Sequence, residues 1–276
     1  MEYGNAAWGL RELPLEEQLK LTQAMGLHLL ELSIANYHRD ALQPDASAEQ
    51  IRQVKALFAQ YDVRPDCGAT GNDFTAGSAA DVRESLDRVK RAADIAAALG
   101  VKVLRIFAGF TSDSLVYGER FDRALEALQL AAEHVRGTGV RLAIETHGGV
   151  AATGDVLHHS ATVTTRIDTM RKLLESLPAA EIGMNYDPAN LAAVGDAAPE
   201  RWFRLFRDRI ALVHLKDFRD VPGGIVPAGC GEGRLDWKAL LAALKEYDGP
   251  ALIEYELPAD VEDGLRRSLR FLKQNQ

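Results

Sequence analysis

The sequence predicts a single-domain (β/α)8 TIM barrel of the α/β class, spanning residues 1–276. Three observations carry that prediction. Short apolar runs alternate with amphipathic segments along the whole chain, the runs are rich in Val, Ile and Leu, and the length is 276 residues. A barrel of this kind takes about 250 residues. Continuous apolar strands separated by helices call for a parallel sheet covered by helices. An open doubly wound sheet is the competing architecture, but eight strands and eight helices in strict alternation favour closure.

In order, the first strand, residues 3–8, is weak because Gly4 and Asn5 dilute it. The helix over 14–25 has Pro14 in its first turn and Leu15, Leu19 and Thr22 on one face. Gly26 stops it, and 27–32 form the second strand. Residues 47–61 are helical, with Ile51, Val54, Leu57 and Phe58 at core spacing. Residues 62–68 lead into a third strand that is over by Gly68. Asp81, with Glu84 three residues on, is expected to cap a helix over 81–99 that Gly100 ends. The fourth strand, 101–107, is apolar apart from Lys102 and Arg105. After it come helix 119–136, strand 139–145, helix 165–177, strand 181–187, helix 200–208, strand 210–216, helix 236–247, strand 250–256 and helix 259–272. No linker rich in Pro, Gly or Ser divides the chain, so one domain is expected.

Composition narrows the function. A net charge of -8 argues against a nucleic-acid surface, which needs clustered Lys and Arg. Cys67 and Cys230 show no CxxC spacing, so neither a disulfide framework nor a zinc ribbon is expected, and a reducing cytoplasm fits best. The start, Met1-Glu2-Tyr3-Gly4, lacks the basic and apolar regions of a secretory signal. No apolar run reaches the ~18 residues needed to span a membrane.

Four apolar runs end in a potential metal ligand: Glu145 after Leu142-Ala143-Ile144, Asp187 after residues 182–186, His214 within Val213-His214-Leu215-Lys216-Asp217, and Glu254 after Leu252-Ile253. They fall at the ends of the fifth to eighth expected strands, at the C-terminal face where barrel enzymes keep their active sites. A lone carboxylate at a strand end is ordinarily solvated, and a lone histidine ordinarily structural. Four on consecutive strand ends form a hard, oxygen-rich set suited to a divalent ion, with Mn2+ expected and Mg2+, Co2+ or Zn2+ as alternatives. Held on either side of a sugar, Glu145 and Glu254 would be the catalytic pair, moving protons to and from carbons beside a carbonyl while the metal stabilises the enediolate. Two long connections, 146–164 and 218–235, follow strands and so reach the same face; connections of this length are ordinarily functional or disordered.

The chain resembles the xylose isomerase-like barrels, the sugar phosphate isomerase/epimerase family that includes ketose 3-epimerases, inosose dehydratases and endonuclease IV. The resemblance covers nearly the whole chain and rests on IETHGG at 144–149, NYDPAN at 185–190, VHLKD at 213–217, PAGCGEGRLDW at 227–237 and LIEYE at 252–256. It implies metal ligands at Glu145, Asp187, His214 and Glu254, with Glu145 and Glu254 as the acid–base pair. Relatives in the family are often dimers or tetramers, which makes a homo-oligomer an expectation. Asn190 stands where the epimerases usually carry a substrate-binding histidine; it can bind a hydroxyl but cannot shuttle a proton.

Position supplies further substrate-binding candidates. His147 lies two residues past Glu145 on an extended segment, Lys216 shares a strand face with His214, and Arg219 comes just beyond. Arg105 near the end of the fourth strand could bind substrate or pair with a barrel carboxylate, and Glu256 is the fallback ligand. Trp8 could stack on a sugar or simply pack, Trp237 reads as core, and His158-His159 could belong to a lid. The expected function is metal-dependent isomerisation or epimerisation of a sugar, keto-sugar or polyol. The alternative on the same site is a dehydratase of an inosose or related keto-polyol. A phosphodiesterase like endonuclease IV is disfavoured by the shortage of further histidines, and a non-catalytic barrel by the complete ligand set.

Overall fold

The computed structural model describes residues 1–36 and 42–276. The first half runs β1 (Glu2–Asn5), α1 (Leu15–Ala24), β2 (Leu32–Ser33), α2 (Ala48–Gln60), β3 (Cys67–Ala69), α3 (Ala79–Leu99), β4 (Val103–Ile106) and α4 (Glu119–Val135). The second half runs β5 (Arg141–Glu145), β6 (Gly149–Thr153), β7 (Val156–Ser160), α5 (Ile167–Glu175), β8 (Ile182–Tyr186), α6 (Pro188–Ala193), α7 (Glu200–Phe206), β9 (Ile210–Leu215), β10 (Asp217–Val221), β11 (Gly224–Ala228), α8 (Trp237–Leu244), β12 (Pro250–Ile253) and α9 (Val261–Gln274).

Eight strands form one parallel sheet in the order β1-β12-β9-β8-β5-β4-β3-β2. A parallel bridge between Asn5 and Leu30 joins the two outer strands, so the sheet closes on itself. Asn5 donates its amide to Leu29 and accepts from the amide of Glu31 across this seam. Alternation along each strand then sorts the side chains, because residues two apart face the same way. One set points outward into a large apolar layer shared with the helices. The other points into the barrel, where Ala6, Leu29, Cys67, Leu212 and Leu252 form a separate buried cluster with Val103 against it. This cluster is the floor of the site, since Glu31, His214 and Glu254 each lie two residues beyond one of its members, and Arg105 two beyond Val103.

Element boundaries shift where local chemistry differs from the expected pattern. The second strand was expected over 27–32; its regular part is only Leu32–Ser33. Upstream, Leu29 bridges Arg64 and Leu30 bridges Asn5, so the run pairs alternately with either neighbour. The helix expected to begin at Asp81 begins two residues earlier, because Ser78 is the N-cap and its hydroxyl accepts the amide of Asp81. Pro14 sits at the N-cap of α1, one position before its first turn. The first strand ends at Asn5, and Trp8–Leu10 form a 3-10 turn. Trp8 there is 40% exposed with the Arg11 guanidinium over its ring.

The largest departure concerns the two long connections. Each folds into an antiparallel hairpin, β6–β7 after β5 and β10–β11 after β9. The hairpins meet at Ile225 and Leu157, giving a four-stranded sheet in the order β10-β11-β7-β6 over the barrel mouth. Threonine and glycine content suggested loops, but Val150, Val156, Phe218, Ile225 and Val226 supply the β-branched and aromatic side chains that suit short strands.

Asp217 ties the second hairpin to the segment that leads into α8. Its buried carboxylate accepts the amides of Phe218 (2.9 Å), Gly233 (3.1 Å), Arg234 (3.0 Å) and Leu235 (3.3 Å), and the Trp237 indole at 2.7 Å. A Cβ at Gly233 would meet Asp217 Oδ1 at 2.2 Å, so only glycine allows this approach. Asp217→Asn turns one acceptor oxygen into a donor facing these N–H groups. Urea unfolding should show a loss of about 1–3 kcal/mol; an unchanged midpoint would show that the segment does not depend on the carboxylate.

Candidate metal centre

Sheet order decides which side chains meet. β12, β9, β8 and β5 are consecutive, and each delivers one of the four expected ligands. Glu145 ends β5, and His214 lies within β9. Asp187 follows β8 as the N-cap of α6, accepting the Asn190 amide at 3.0 Å, and Glu254 follows β12. Thr146 locks two of these strand ends together: its hydroxyl accepts the Asp187 amide at 2.8 Å and donates to the Asp187 carbonyl at 3.1 Å. All four side chains are at most 4% exposed, and one potential ligand atom from each lies within 4.8 Å of the others.

The donor set suits a divalent ion. Donors bound at about 2.0–2.2 Å sit roughly 3–4.5 Å apart. His214 Nδ1 is 3.8 Å from Glu145 Oε1 and 3.7 Å from Glu254 Oε1. It is buried and has no hydrogen-bond partner among the described residues. A buried imidazole nitrogen facing two carboxylates with no hydrogen bond to either is the arrangement a metal ion would complete.

The other candidates surround this group to different degrees. Arg105, 4% exposed, places Nε 3.2 Å from Glu145 Oε2 and its guanidinium 4.3 Å from the centre of the Phe107 ring. Asn190 donates from Nδ2 to Glu145 Oε1 at 3.1 Å. Lys216 is buried, and its ion-pair partners are all protein carboxylates: Glu254 at 2.7 Å, Glu256 at 2.8 Å and Asp187 at 3.2 Å. Glu256 therefore faces the ammonium and is not one of the four clustered ligands. His147 donates from Nδ1 to the Gly148 carbonyl at 2.6 Å, since a carbonyl can only accept, which leaves Nε2 a bare acceptor. Arg219 is exposed on β10 and makes no ion pair with the cluster among the described residues.

Two features were not anticipated. Glu31, fully buried, approaches His214 from just ahead of β2 with Oε1 3.5 Å from Nε2. Its sign in the sequence was a single carboxylate interrupting the apolar run Leu29-Leu30-Glu31-Leu32. The mouth also carries a wall of rings, with His147 packed edgewise on Phe107 and Phe110, and His159 from β7 packed on Phe218. His158 beside it is exposed, as alternation along β7 requires.

Burial and neighbouring charge set the proton affinities. Burial pushes Glu145 up to about 7, against the pull of Arg105 and His214. Burial also raises Glu254, but the charges of Lys216 and His214 outweigh it and hold the group at about 2. Asp187 is raised by burial despite Lys216. Burial disfavours the His214 cation, yet Glu254 and Glu31 lift it to about 9. Burial, helped by the Lys216 charge, lowers His147 to about 3. The two glutamates that flank His214 are thus far apart in proton affinity.

Residues 19–275 match the family described as Xylose isomerase-like TIM barrel. No curated protein matches the sequence. Among solved structures, the probable 3-DHS dehydratase AsbF from Bacillus anthracis aligns with TM-score 0.79 at 15% identity, over 100% of both chains. D-allulose 3-epimerase from Methylomonas sp. aligns with TM-score 0.78 at 16% identity, over 100% of this chain and 98% of that one. The 3-keto-D-glucoside 4-epimerase YcjR from E. coli aligns with TM-score 0.76 at 16% identity, over 99% of both. At these identities the similarity is one of fold.

A ligand set that holds protons must release them to bind a metal. With His214 at about 9 and Glu145 at about 7, Mn2+ binding at pH 7 should release at least one proton. Affinity should then rise about tenfold per pH unit for each proton displaced, levelling off near pH 9. Calorimetry in buffers of different ionisation enthalpy measures this directly; binding without proton release would contradict the assignment.

Proposed function

The chain belongs to the xylose isomerase-like TIM barrel family, and on that premise we propose that it is a divalent-metal-dependent isomerase or epimerase of a sugar, keto-sugar or polyol, acting in the cytoplasm with Mn2+. The observation that carries this reading is the pair of buried carboxylates, Glu145 and Glu254, flanking His214 Nδ1 with proton affinities driven apart. Pairs of titratable groups with opposed environments divide acid and base duties between them. Lys216 keeps Glu254 ionised, which fits it to accept a proton from carbon. Glu145, on the other side of His214 Nδ1 and the more basic of the two before the ion binds, stands as the second proton-handling carboxylate. Arg105 on Oε2 and Asn190 on Oε1 hold the Glu145 carboxylate in one orientation. Glu145, Asp187, His214 and Glu254 are all buried, so charges among them interact strongly. When bound, the divalent ion supplies positive charge for the oxyanion that develops as a proton leaves the carbon beside a carbonyl.

A second reading, a dehydratase of a keto-polyol, draws on His147. Elimination needs one group to take a proton and another to protonate the departing hydroxyl. The neutral His147, bare at Nε2, offers at the mouth an acceptor that could hold a substrate hydroxyl in place for departure. Asn190, which cannot carry a proton, fits this reading as well as the first. The dehydratase and epimerases with which the chain shares its fold span both chemistries.

Incubating Mn2+-loaded protein in D2O with a panel of ketoses and inososes tests both. Epimerisation or isomerisation should place deuterium beside a carbonyl, whereas elimination should accumulate an unsaturated ketone absorbing in the ultraviolet. Glu145→Gln and Glu254→Gln should each slow the reaction by roughly 10²–10⁴-fold, and Glu254→Ala should lower the metal content. Stoichiometric metal with no exchange or elimination on any compound would refute the catalytic assignment.

A further inference from the structure

Glu31 is a fully buried carboxylate facing His214 that is neither among the four clustered ligands nor paired with Lys216. It lies across the barrel from β9, just ahead of β2, above Leu29 in the apolar floor. Oε2 accepts the amide of Ala7 at 3.0 Å. Oε1 faces His214 Nε2 at 3.5 Å, while the opposite ring nitrogen faces Glu145 and Glu254.

Neutral imidazole carries a proton on one nitrogen and a lone pair on the other, and only the lone pair can bind a metal ion. An ionised carboxylate only accepts hydrogen bonds, so the nitrogen facing Glu31 is the one favoured to carry the proton. Nδ1 is then bare on the side where the other three ligands converge. We infer that Glu31 is a positioning residue that fixes the Nε2–H tautomer and ring orientation of His214 and so prepares Nδ1 for the divalent ion. The inference rests on the metal reading above and adds to it a residue outside the ligand set.

A purely structural role would be to accept the Ala7 amide and hold the start of the chain against β2. Glutamine can do that through its carbonyl oxygen. It would then present its NH2 group to His214 Nε2, donor against donor, and favour the tautomer with the proton on Nδ1. Glu31→Gln therefore separates the two roles: the fold keeps its hydrogen bond and the histidine loses its acceptor.

Two measurements decide. Mn2+ titration of wild type and Glu31→Gln, followed by electron paramagnetic resonance, should show affinity weakened about 10–100-fold in the variant, with thermal unfolding of the metal-free proteins confirming that both are folded. Long-range 1H–15N correlation spectra of the Mg2+-loaded wild type should show His214 protonated on Nε2 and bare on Nδ1. Unchanged Mn2+ affinity in a folded Glu31→Gln protein overturns the inference while leaving the metal site intact. A wild-type spectrum with the proton on Nδ1 overturns it whether or not the variant folds. Failure of wild type to bind Mn2+ at all refutes the metal reading itself, and this inference with it.

Discussion

Everything at the mouth of the barrel depends on the ammonium of Lys216 among three carboxylates. Burying an ionised group costs several kcal/mol unless an opposite charge accompanies it. Asp187, Glu254 and Glu256 are brought together from the ends of β8 and β12, on either side of β9, and would repel one another without that cation. Arg105 does the same for Glu145 from the other side. Two permanent cations still leave a surplus of negative charge when Glu31 is included, and the set is balanced more nearly by a divalent ion. The same surplus lifts His214 well above the usual histidine range. Charge balance thus links the ligands, the cations and the titration of the site in one arrangement.

The barrel makes that arrangement possible by stacking polar residues on an apolar floor. Along β9, Leu212 belongs to the floor and His214 to the site; along β12, Leu252 and Glu254 repeat the relation. The switch takes two residues, the period of a strand. The floor keeps water from reaching the carboxylates from below, which is why their proton affinities respond so strongly to neighbouring charge.

Much of this was legible in the sequence. Parallel strands leave long apolar runs, and a carboxylate that ends such a run is visible without coordinates, as Glu145, Asp187 and Glu254 were, and the structure clusters them with His214. The eight expected helices were legible to within a few residues because their core spacing is regular, though Ser78 displaced Asp81 as a cap and the short helix α6 after Asp187 was not anticipated. Glu31 was not legible, because its meaning comes from a histidine across the barrel and more than one hundred and eighty residues away in the chain. Position alone points Lys216 toward substrate; its burial among carboxylates depends on Glu256, and so on where β12 ends. The hairpins were hidden because short edge strands rich in Thr and Gly share their composition with loops.

The two hairpins meet through a single paired position, Ile225 with Leu157, and neither contributes one of the four clustered ligands. The canopy and the layer of Glu145, Asp187, His214 and Glu254 are therefore separable parts of the chain. Inserts in the canopy can be lengthened, trimmed or exchanged without disturbing the strand ends beneath. A scaffold divided in this way can change the shape of what it admits while keeping the side chains beneath, so diversification in such a barrel is expected to begin at the hairpin turns around Gly154 and Gly223, away from the Thr146 and Asp217 anchors.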